Sequence, residues 1–477
     1  IDRRAYQLAY FAVMMKARQY NRRILSAENQ PNLANFADVM HVNTSLLSGS
    51  LRKFAEQFQF ADTYGSLMTV TKPAGLDEAV SAFLPTFGMQ AEQLEMMMRV
   101  ARILTQKYDV VCTNPPYMGG SGMNATLSDF IKKNYPDYKS DLFSAFVVKC
   151  TKMAKLEGYL GFLTPYVWMF IQSYEKMRNY IYSTRTIETL IQFEYSAFEE
   201  ATVPICTFVL KNSKVRKNGA YLRLTEFRGG MEVQRQKALE AISNHKCGFY
   251  YESNAENFSK IPGSPVAYWV SENFVRAFEQ GELLTSLAPT RKGMFTGDNN
   301  LWLKLWHEIE YNKMFYQFKP YNKGGEFNKW YGNHDYVVNW KNDGKDIKSF
   351  KGSGNINESL FFRHCITWSL ITSSKLSFRA IIDNYHVMGD AGPIACADDN
   401  KLFYILGVLN SKFIEEVASI VAPTLNCSNG VAGTFPIIVD EINKPTIDNI
   451  VQENIELSKI DWDSFETSWD FERHPLV

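Results

Sequence analysis

The stretch Lys107-Tyr-Asp-Val-Val-Cys-Thr-Asn-Pro-Pro-Tyr117 decides how this chain is interpreted. Its first part, Tyr108 to Thr113, is a short apolar run without Gly or Pro, and such a run predicts a buried parallel β-strand. The strand would deliver the segment from Asn114 to Tyr117 at its carboxyl end, the edge of an open α/β sheet where ligands bind. This tetrapeptide is therefore the first candidate for a functional site.

Two prolines make the tetrapeptide stiff. A residue that precedes proline is disfavoured in the α region, so Asn114 and Pro115 are both biased towards extended geometry. Pro115 and Pro116 lack an N–H group, so the backbone here offers carbonyl acceptors without competing donors. The side-chain oxygen of Asn114 and the carbonyl of Pro115 could accept both hydrogens of an exocyclic amine, while Tyr117 offers an aromatic face to a planar base. The alternative interpretation is a strand followed by an ordinary Pro-Pro turn.

The composition excludes several other classes of protein. A chain of 477 residues is too long for a single core and predicts two or three domains. The formal net charge is zero, so any nucleic-acid site must be a local basic patch. The seven cysteines include no Cys-x-x-Cys pair, which favours the reduced thiols of a cytoplasmic protein over disulfides or a metal site. No apolar run reaches the roughly 18 residues that span a bilayer, so no membrane association is expected.

Helix and strand patterns surround the central strand. Residues 2–18 carry apolar side chains at helical spacing, at Ala5, Leu8, Ala9, Ala12, Val13 and Met15, so one helical face is expected to pack on a sheet. Residues 33–43 predict a second strand. Further helices are expected at 51–67, 76–106 and 140–155, and further strands at 158–165, 187–193 and 203–211. This alternation predicts an α/β fold with a doubly wound sheet and helices on both faces.

Short elements in a fixed order resemble the catalytic domain of DNA adenine-N6 methyltransferases, whose motif is Asn/Asp/Ser-Pro-Pro-Tyr/Phe/Trp. These elements are Asp2-Arg-Arg-Ala5, Asn114-Pro-Pro-Tyr117, Asp141-Leu-Phe143, Gly158-Tyr-Leu-Gly-Phe-Leu-Thr-Pro165 and Ala197-Phe-Glu-Glu-Ala-Thr-Val203. Among such enzymes the chain most resembles the phage-exclusion (BREX) methyltransferases of the PglX type, with fused type IIG restriction–methylation enzymes as relatives.

The resemblance implies a domain plan. Residues 1–215 would form a Rossmann-like S-adenosylmethionine-dependent methyltransferase sheet, incomplete at its N-terminus. Residues 216–264 would be a connector with a Pro/Gly-rich end. Residues 265–440 would form a mixed α/β domain that recognises the DNA target, and residues 441–477 a tail that packs across domains.

The resemblance also implies an activity. Enzymes of this family flip an adenine out of double-stranded DNA and transfer a methyl group from S-adenosylmethionine to its N6 atom. Asn114, Pro115, Pro116 and Tyr117 would be the catalytic segment, and Tyr117 and Phe198 would stack on the two faces of the base. The alternative for Phe198 is an ordinary core position. Action in bacterial phage defence, together with other defence proteins, is the implied setting.

The cofactor site is expected to be incomplete in this chain. Asp2, Asp38, Asn43 and Phe146 are the candidate contacts to S-adenosylmethionine, with helix capping as the alternative role of Asp2 and core packing that of Phe146. The family's glycine-rich loop, Asp-Pro-x-x-Gly-x-Gly, occurs nowhere in the sequence and is expected to precede Ile1. The isolated chain is therefore expected to bind the cofactor weakly or not at all and to be inactive alone.

A basic and aromatic region is the candidate DNA contact. Between Arg291 and Lys351 there are eleven Lys/Arg and seven Asp/Glu residues, interleaved with Phe, Tyr and Trp. Basic plus aromatic composition is typical of a groove that follows phosphates, although a solvated face explains it as well. The candidate DNA-binding residues are Arg291, Lys292, Lys323 and Lys329.

Two other functional classes stay open. One is a non-catalytic DNA-binding or phage-sensing fragment that keeps the methyltransferase shape. The other is the methylation and specificity part of a fused restriction enzyme. Asp346-Ile-Lys348 is the nearest match to a nuclease metal motif and lacks an upstream Pro-Asp, so no metal site is predicted in this chain.

Overall fold

The computed structural model describes residues 3–26, 31–36, 39, 43–83, 88–198, 203–354, 357–372 and 375–476. The chain divides into two compact units, Ile1–Ala255 and Glu256–Val477. The division falls inside the segment 216–264 that the sequence suggested as a connector. Part of that segment adds two strands to the sheet of the first unit.

The first unit contains a six-stranded sheet and helices around it. Its strands are β1 (Tyr108–Thr113), β2 (Ala154–Pro165), β3 (Thr186–Gln192), β4 (Ile205–Lys211), β5 (Gly219–Arg223) and β6 (Tyr250–Ser253). Its helices are α1 (Arg3–Tyr20), α2 (Gly49–Glu56), α3 (Ala61–Tyr64), α4 (Leu76–Phe83), α5 (Gly88–Thr105), α6 (Ala125–Asn134), α7 (Leu142–Met153), α8 (Glu175–Thr184) and α9 (Gly230–Ser243).

The sheet has the order β1-β2-β4-β3-β5-β6 and mixes strand directions. β1 is parallel to β2, and β3 is parallel to β5. β4 runs antiparallel between β2 and β3, and β6 is antiparallel to β5. The predicted α/β class is confirmed, but the sheet is not uniformly parallel. An antiparallel neighbour such as β4 needs no crossover helix, whereas parallel neighbours do.

Two expectations about burial in the first unit were wrong. β1 spans the predicted residues, yet it lies at the edge of the sheet, and Val110 is 62% exposed. α1 forms as predicted, but the apolar face expected to pack on a sheet is exposed. Leu8 is 69% exposed and Phe11 62%, while Met14 is buried. Periodicity predicts which side chains share a face, but burial depends on whether another element covers that face.

The segment predicted as a strand at residues 33–43 is not a strand in its described part, which comprises residues 33–36, 39 and 43. Asn43 instead precedes a short 3₁₀ turn, Thr44–Leu46, and its side chain accepts a hydrogen bond from the backbone of Ser45. Phe36 and Val39 pack in a core with residues of α2, α4 and α5. The apolar residues that suggested a strand therefore pack against helices instead.

The second unit is also mixed α/β. Its helices are α10 (Ala255–Phe258), which lies at the division between the units, α11 (Glu272–Gln280), α12 (Leu284–Leu287), α13 (Asn299–Trp302), α14 (Lys341–Lys348), α15 (Asp399–Leu409), α16 (Lys412–Val421), α17 (Asn429–Ala432) and α18 (Lys444–Asp463). Its strands are β7 (Glu282–Leu283), β8 (Thr290–Arg291), β9 (Leu303–Leu305), β10 (Phe318–Asn322), β11 (Tyr336–Asn339), β12 (Cys365–Trp368), β13 (Phe378–Ile381), β14 (Val387–Met388), β15 (Ile394–Ala395) and β16 (Pro436–Ile437).

These strands form three sheets, β14-β10-β11-β9, β13-β12-β15-β8 and β16-β7. Trp368 on β12 and Phe378 on β13 lie in one core with Ile405 and Leu406 of α15. α18, which covers most of the predicted tail, packs against α15 within the same unit. In the described part of the chain, no helix has both the length and the apolar character needed to cross a bilayer.

Candidate active site

The candidate site lies at the carboxyl end of β1, where the predicted tetrapeptide follows Thr113. Thr113 pairs with Phe162 of β2, so the strand is held in register up to its last residue. Beyond it, Asn114 is exposed and Pro115 is buried. Tyr117 is 39% exposed. The Asn114 side chain is thus accessible from solvent at the edge of the sheet where the sequence predicted a ligand site.

Tyr117 contacts Asn114 directly. The Tyr117 hydroxyl donates a hydrogen bond to Asn114 Oδ1 at 2.8 Å, and the carbonyl oxygen of Leu163 on β2 lies 3.2 Å from the same hydroxyl. The Tyr117 ring meets Phe143 edge to face, with 6.5 Å between ring centroids. Burial raises the pKa of the Tyr117 hydroxyl, so at neutral pH the group is a neutral donor.

The first turn of α7 holds the residue after the tetrapeptide. The backbone N–H of Met118 donates to Asp141 Oδ1 at 3.0 Å, and the backbone N–H of Leu142 donates to the Met118 carbonyl at 3.0 Å. Asp141 also caps α7, because the same oxygen accepts from the Phe143 N–H at 3.2 Å. One carboxylate therefore ties the loop after Tyr117 to the start of a helix.

The Asp141 carboxyl is partly desolvated. Burial raises its pKa, and hydrogen bonds from the backbone of Met118, Phe143 and Leu142 act in the opposite direction. The sequence showed Asp141 only as part of a family element at a helix start. The recognisable signal was an N-cap residue before the apolar run of α7, and what could not be foreseen is that Met118 would share this cap.

Phe198 is half-buried, and its ring packs edge to face against Phe193 with 6.2 Å between centroids. Its backbone neighbours at 199–202 lie outside the described residues. The contact with Phe193 is compatible with either role suggested by the sequence. Base stacking by Phe198 therefore stays a prediction.

Two of the four candidate cofactor contacts, Asn43 and Phe146, lie in the described part of the chain. Asp2 and Asp38 lie outside the described residues. Asn43 uses its side-chain oxygen to accept hydrogen bonds from Ser45, at 3.1 Å from N and 2.6 Å from Oγ. Phe146 packs at the edge of a cluster that includes Leu127 and Ile131 of α6. The role of these residues in binding S-adenosylmethionine therefore stays a prediction, and the sequence has no Asp-Pro-x-x-Gly-x-Gly loop.

The candidate DNA-binding residues all lie in the second unit. Arg291 is exposed on β8 and is followed by the half-buried Lys292. The Lys323 ammonium lies 3.9 Å from the ring centroid of Tyr336, a cation–π contact. Lys329 Nζ donates to the Asn410 carbonyl at 3.0 Å, so this lysine also anchors its own loop.

In the segment Asp346-Ile-Lys348, which resembled a nuclease motif, the lysine is taken up by ion pairs. Lys348 forms ion pairs with Asp343 and Glu358. Within the described ranges, no group of three or more His, Cys, Asp or Glu side chains is arranged to hold a metal ion.

Known proteins match this chain in two ways, over its first 198 residues and over its whole length. Residues 1–198 match the family described as Eco57I restriction-modification methylase. Over its whole length the chain is 32% identical to the adenine-specific methyltransferase PglX of Lacticaseibacillus casei (strain Zhang), covering 43% of that protein. It is likewise 31% identical to the adenine-specific methyltransferase BrxX of Escherichia coli O9:H4 (strain HS), covering 43% of that protein. The chain thus spans less than half the length of these curated relatives.

More distant matches include restriction enzymes. A segment covering 26% of the chain is 27% identical to the type II restriction enzyme and methyltransferase RM.Eco57I of Escherichia coli, over 13% of that protein. Among solved structures, the type IIL restriction-modification enzyme MmeI in complex with DNA aligns with 76% of this chain and 50% of its own, at 12% identity and a TM-score of 0.49. The resemblance predicted from the sequence motifs, to PglX-type adenine methyltransferases with fused restriction–methylation enzymes as relatives, is confirmed.

Proposed function

We propose that this chain carries the target-amine site of a site-specific DNA adenine-N6 methyltransferase that acts in bacterial phage defence. The observation that carries the proposal is the end of β1, where the exposed residue Asn114 lies beside Tyr117 and its Oδ1 accepts a hydrogen bond from the Tyr117 hydroxyl. The match of the whole chain to 43% of each of two adenine-specific methyltransferases supports the same activity.

In the proposed reaction the protein holds a flipped adenine by its N6 amine. The two N6 hydrogens are donated to Asn114 Oδ1 and to the Pro115 carbonyl, which directs the nitrogen lone pair away from both acceptors. The Tyr117 ring stacks on one face of the base, and Phe198 is the proposed partner on the other face. Stacking on one aromatic ring contributes about 1–3 kcal/mol, which offsets part of the cost of unstacking the base.

Orientation is the main contribution that these residues make. S-adenosylmethionine would supply the methyl group when bound, with Asp2, Asp38, Asn43 and Phe146 as the proposed contacts from this chain. Holding two reactants in line supplies roughly 7–11 kcal/mol of rate acceleration. The amine loses its proton after the transfer, so the site needs no strong base, and none of the described contacts of Asn114 and Tyr117 involves one.

The second unit is the proposed target-recognition part. Arg291, Lys292, Lys323 and Lys329 are the proposed contacts to double-stranded DNA, since lysine and arginine side chains neutralise phosphates. All seven cysteines are free thiols, which supports the proposal that the protein works in the reducing cytoplasm. Other phage-defence proteins are proposed partners because the PglX type belongs to a phage-exclusion system.

The test of the proposal is Asn114→Ala in the full-length protein. Loss of the amide should reduce transfer of tritiated methyl groups from S-adenosylmethionine to duplex DNA to background. Binding of the same duplex, measured by fluorescence anisotropy, should stay within about twofold. Asn179→Ala replaces an exposed asparagine on α8 and is the matched control, for which undiminished transfer is expected.

Undiminished transfer by Asn114→Ala would refute the assignment of the site. If the unaltered full-length protein binds DNA but transfers no methyl group, the non-catalytic DNA-binding alternative replaces the proposed activity.

A further inference from the structure

The Tyr117 hydroxyl has one hydrogen and two acceptors within reach. Asn114 Oδ1 lies at 2.8 Å and the Leu163 carbonyl at 3.2 Å. Hydroxyl donors are most often 2.7–2.8 Å from their acceptors, and 3.2 Å exceeds the usual range for them. The hydrogen is therefore donated to Asn114, and the Leu163 carbonyl is the secondary acceptor.

This hydrogen bond distinguishes the two ends of the Asn114 amide. The amide oxygen is favoured at this place, because a hydroxyl that faced the NH₂ end would have to accept from it and donate its own hydrogen to the more distant Leu163 carbonyl. A carbonyl oxygen has two lone pairs, so Asn114 Oδ1 keeps one for a second donor. If the amide were rotated by 180°, its NH₂ group would meet the amine of the target base, and two donors would face each other.

The hydroxyl can orient the Asn114 amide because packing and backbone hydrogen bonds fix the position of Tyr117. Phe143 contacts the Tyr117 ring edge to face, and the neighbouring Met118 is bonded through both its N–H and its carbonyl to the start of α7. The phenol oxygen therefore has a fixed place beside Asn114. Asn114 itself is exposed, so without this bond its amide would be free to rotate in water.

We infer that Tyr117 is a positioning residue as well as a stacking surface, and that its hydroxyl orients the Asn114 amide with the oxygen towards the amine of the target base. The inference rests on the proposed function, because it concerns the same amine. It gives the fourth residue of the tetrapeptide a role that the aromatic ring alone does not fill.

The first experiment is Tyr117→Phe in the full-length protein, which keeps the ring and removes the hydroxyl. We expect kcat for methyl transfer to fall about tenfold, which corresponds to the NH₂ end facing the target amine in about nine-tenths of the molecules. KM for the duplex and the thermal unfolding temperature should stay unchanged, since the stacking surface is retained. Tyr159→Phe on the exposed side of β2 is the matched control, and its kcat should equal that of the unaltered protein.

The second experiment repeats Tyr117→Phe in an Asn114→Asp background. A carboxylate has an oxygen at both ends, so it needs no orientation, and removing the hydroxyl should then lower kcat by less than threefold. Should Asn114→Asp transfer too little methyl to measure, Asn114→Ser serves instead, because a hydroxyl rotates freely and also has no wrong end.

The outcomes separate this inference from the proposed function. A lack of methyl transfer by the unaltered protein would overturn the proposed function and this inference with it. Normal transfer together with an unchanged kcat in Tyr117→Phe would overturn the inference alone. An equal tenfold loss in the asparagine background and in the substituted background would also overturn it, because the hydroxyl would then act by some means other than orienting the amide.

Discussion

β1 and β12 are both short apolar strands, but the protein uses them in opposite ways. All four residues of β12 are buried, and the strand lies between β13 and β15. None of the six residues of β1 is fully buried, and the strand has β2 as its neighbour at the sheet edge. β12 stabilises a core, whereas β1 carries the chain to an accessible site. Hydrophobic composition alone therefore does not decide whether a strand is buried or exposed.

The two regions are also held together differently. Trp368 on β12 is fully buried among apolar side chains. The loop after β1 is instead fixed by hydrogen bonds to Asp141 and Leu142 at the start of α7. Removing apolar volume should therefore damage β12, and removing one polar group should damage the loop after β1. The following substitutions test this contrast.

The largest effect is expected for Trp368→Ala. The indole is fully buried and its N–H donates to the Cys427 carbonyl at 2.9 Å, so the substitution leaves a cavity and an unpaired carbonyl. Substitutions of this kind cost about 3–5 kcal/mol, and urea unfolding followed by fluorescence would measure the loss. Tyr316→Ala removes a largely exposed ring and should change the free energy of unfolding by less than about 0.5 kcal/mol. A similarly small effect for Trp368→Ala would contradict the buried position of β12.

A smaller loss is expected for Asp141→Ala. The carboxylate accepts from the backbone N–H groups of Met118 and Phe143, and removal of an N-cap side chain costs about 0.5–2 kcal/mol. Protease cleavage in the loop after Tyr117 should also accelerate, because Met118 loses its anchor. Asp129→Ala on the exposed face of α6 should change neither quantity. Unchanged cleavage in Asp141→Ala would show that the Leu142–Met118 bond holds the loop alone.

Local sequence signals predicted what depends on local chemistry. The bounds of β1 agree with the structure, since an apolar run ended by two prolines has few other conformations. The exposure of Asn114 also agrees with a site at the carboxyl end of a strand. The helical spacing in α1 correctly predicted a helix, because that spacing reflects the helix itself and not its neighbours.

Features that depend on distant parts of the chain could not be predicted from local sequence patterns. The edge position of β1 follows from which strands pair, and the exposure of Leu8 follows from what covers α1. No pattern within either segment contains that information. The role of Asp141 was missed for a similar reason, because Met118 is 23 residues away in the sequence.

Lys149, the buried lysine of α7, should make the free energy of unfolding depend on pH. Lys149 is buried and its Nζ donates to the Met68 carbonyl at 2.8 Å, and burial lowers its pKa to about 8. Below that pH the lysine is charged in both states. Between about 8 and the usual value of 10.5 only the unfolded state is protonated, so this residue makes the free energy of unfolding rise with pH.

Lys149→Met should remove that contribution. We expect the variant to be more stable than the unaltered chain at pH 7, and the difference should shrink as pH rises through the same interval. Thermal unfolding from pH 7 to 10 would measure it, and the exposed Lys133→Met should show no such change in the difference. A constant advantage at every pH would mean that Lys149 is not desolvated in the folded state.

The smallest effect is expected for Val110→Ala on β1, and its comparison with Val147→Ala on α7 tests the edge position directly. Both substitutions remove the same two methyl groups, but Val110 is mostly exposed and Val147 fully buried. Burial of each carbon contributes about 0.8 kcal/mol, so Val147→Ala should cost about 2 kcal/mol and Val110→Ala less than about 0.5 kcal/mol. Urea unfolding of the 477-residue chain would measure both. Equal costs would show that something covers β1 in solution, and an unpaired strand edge is a surface on which another strand can pair.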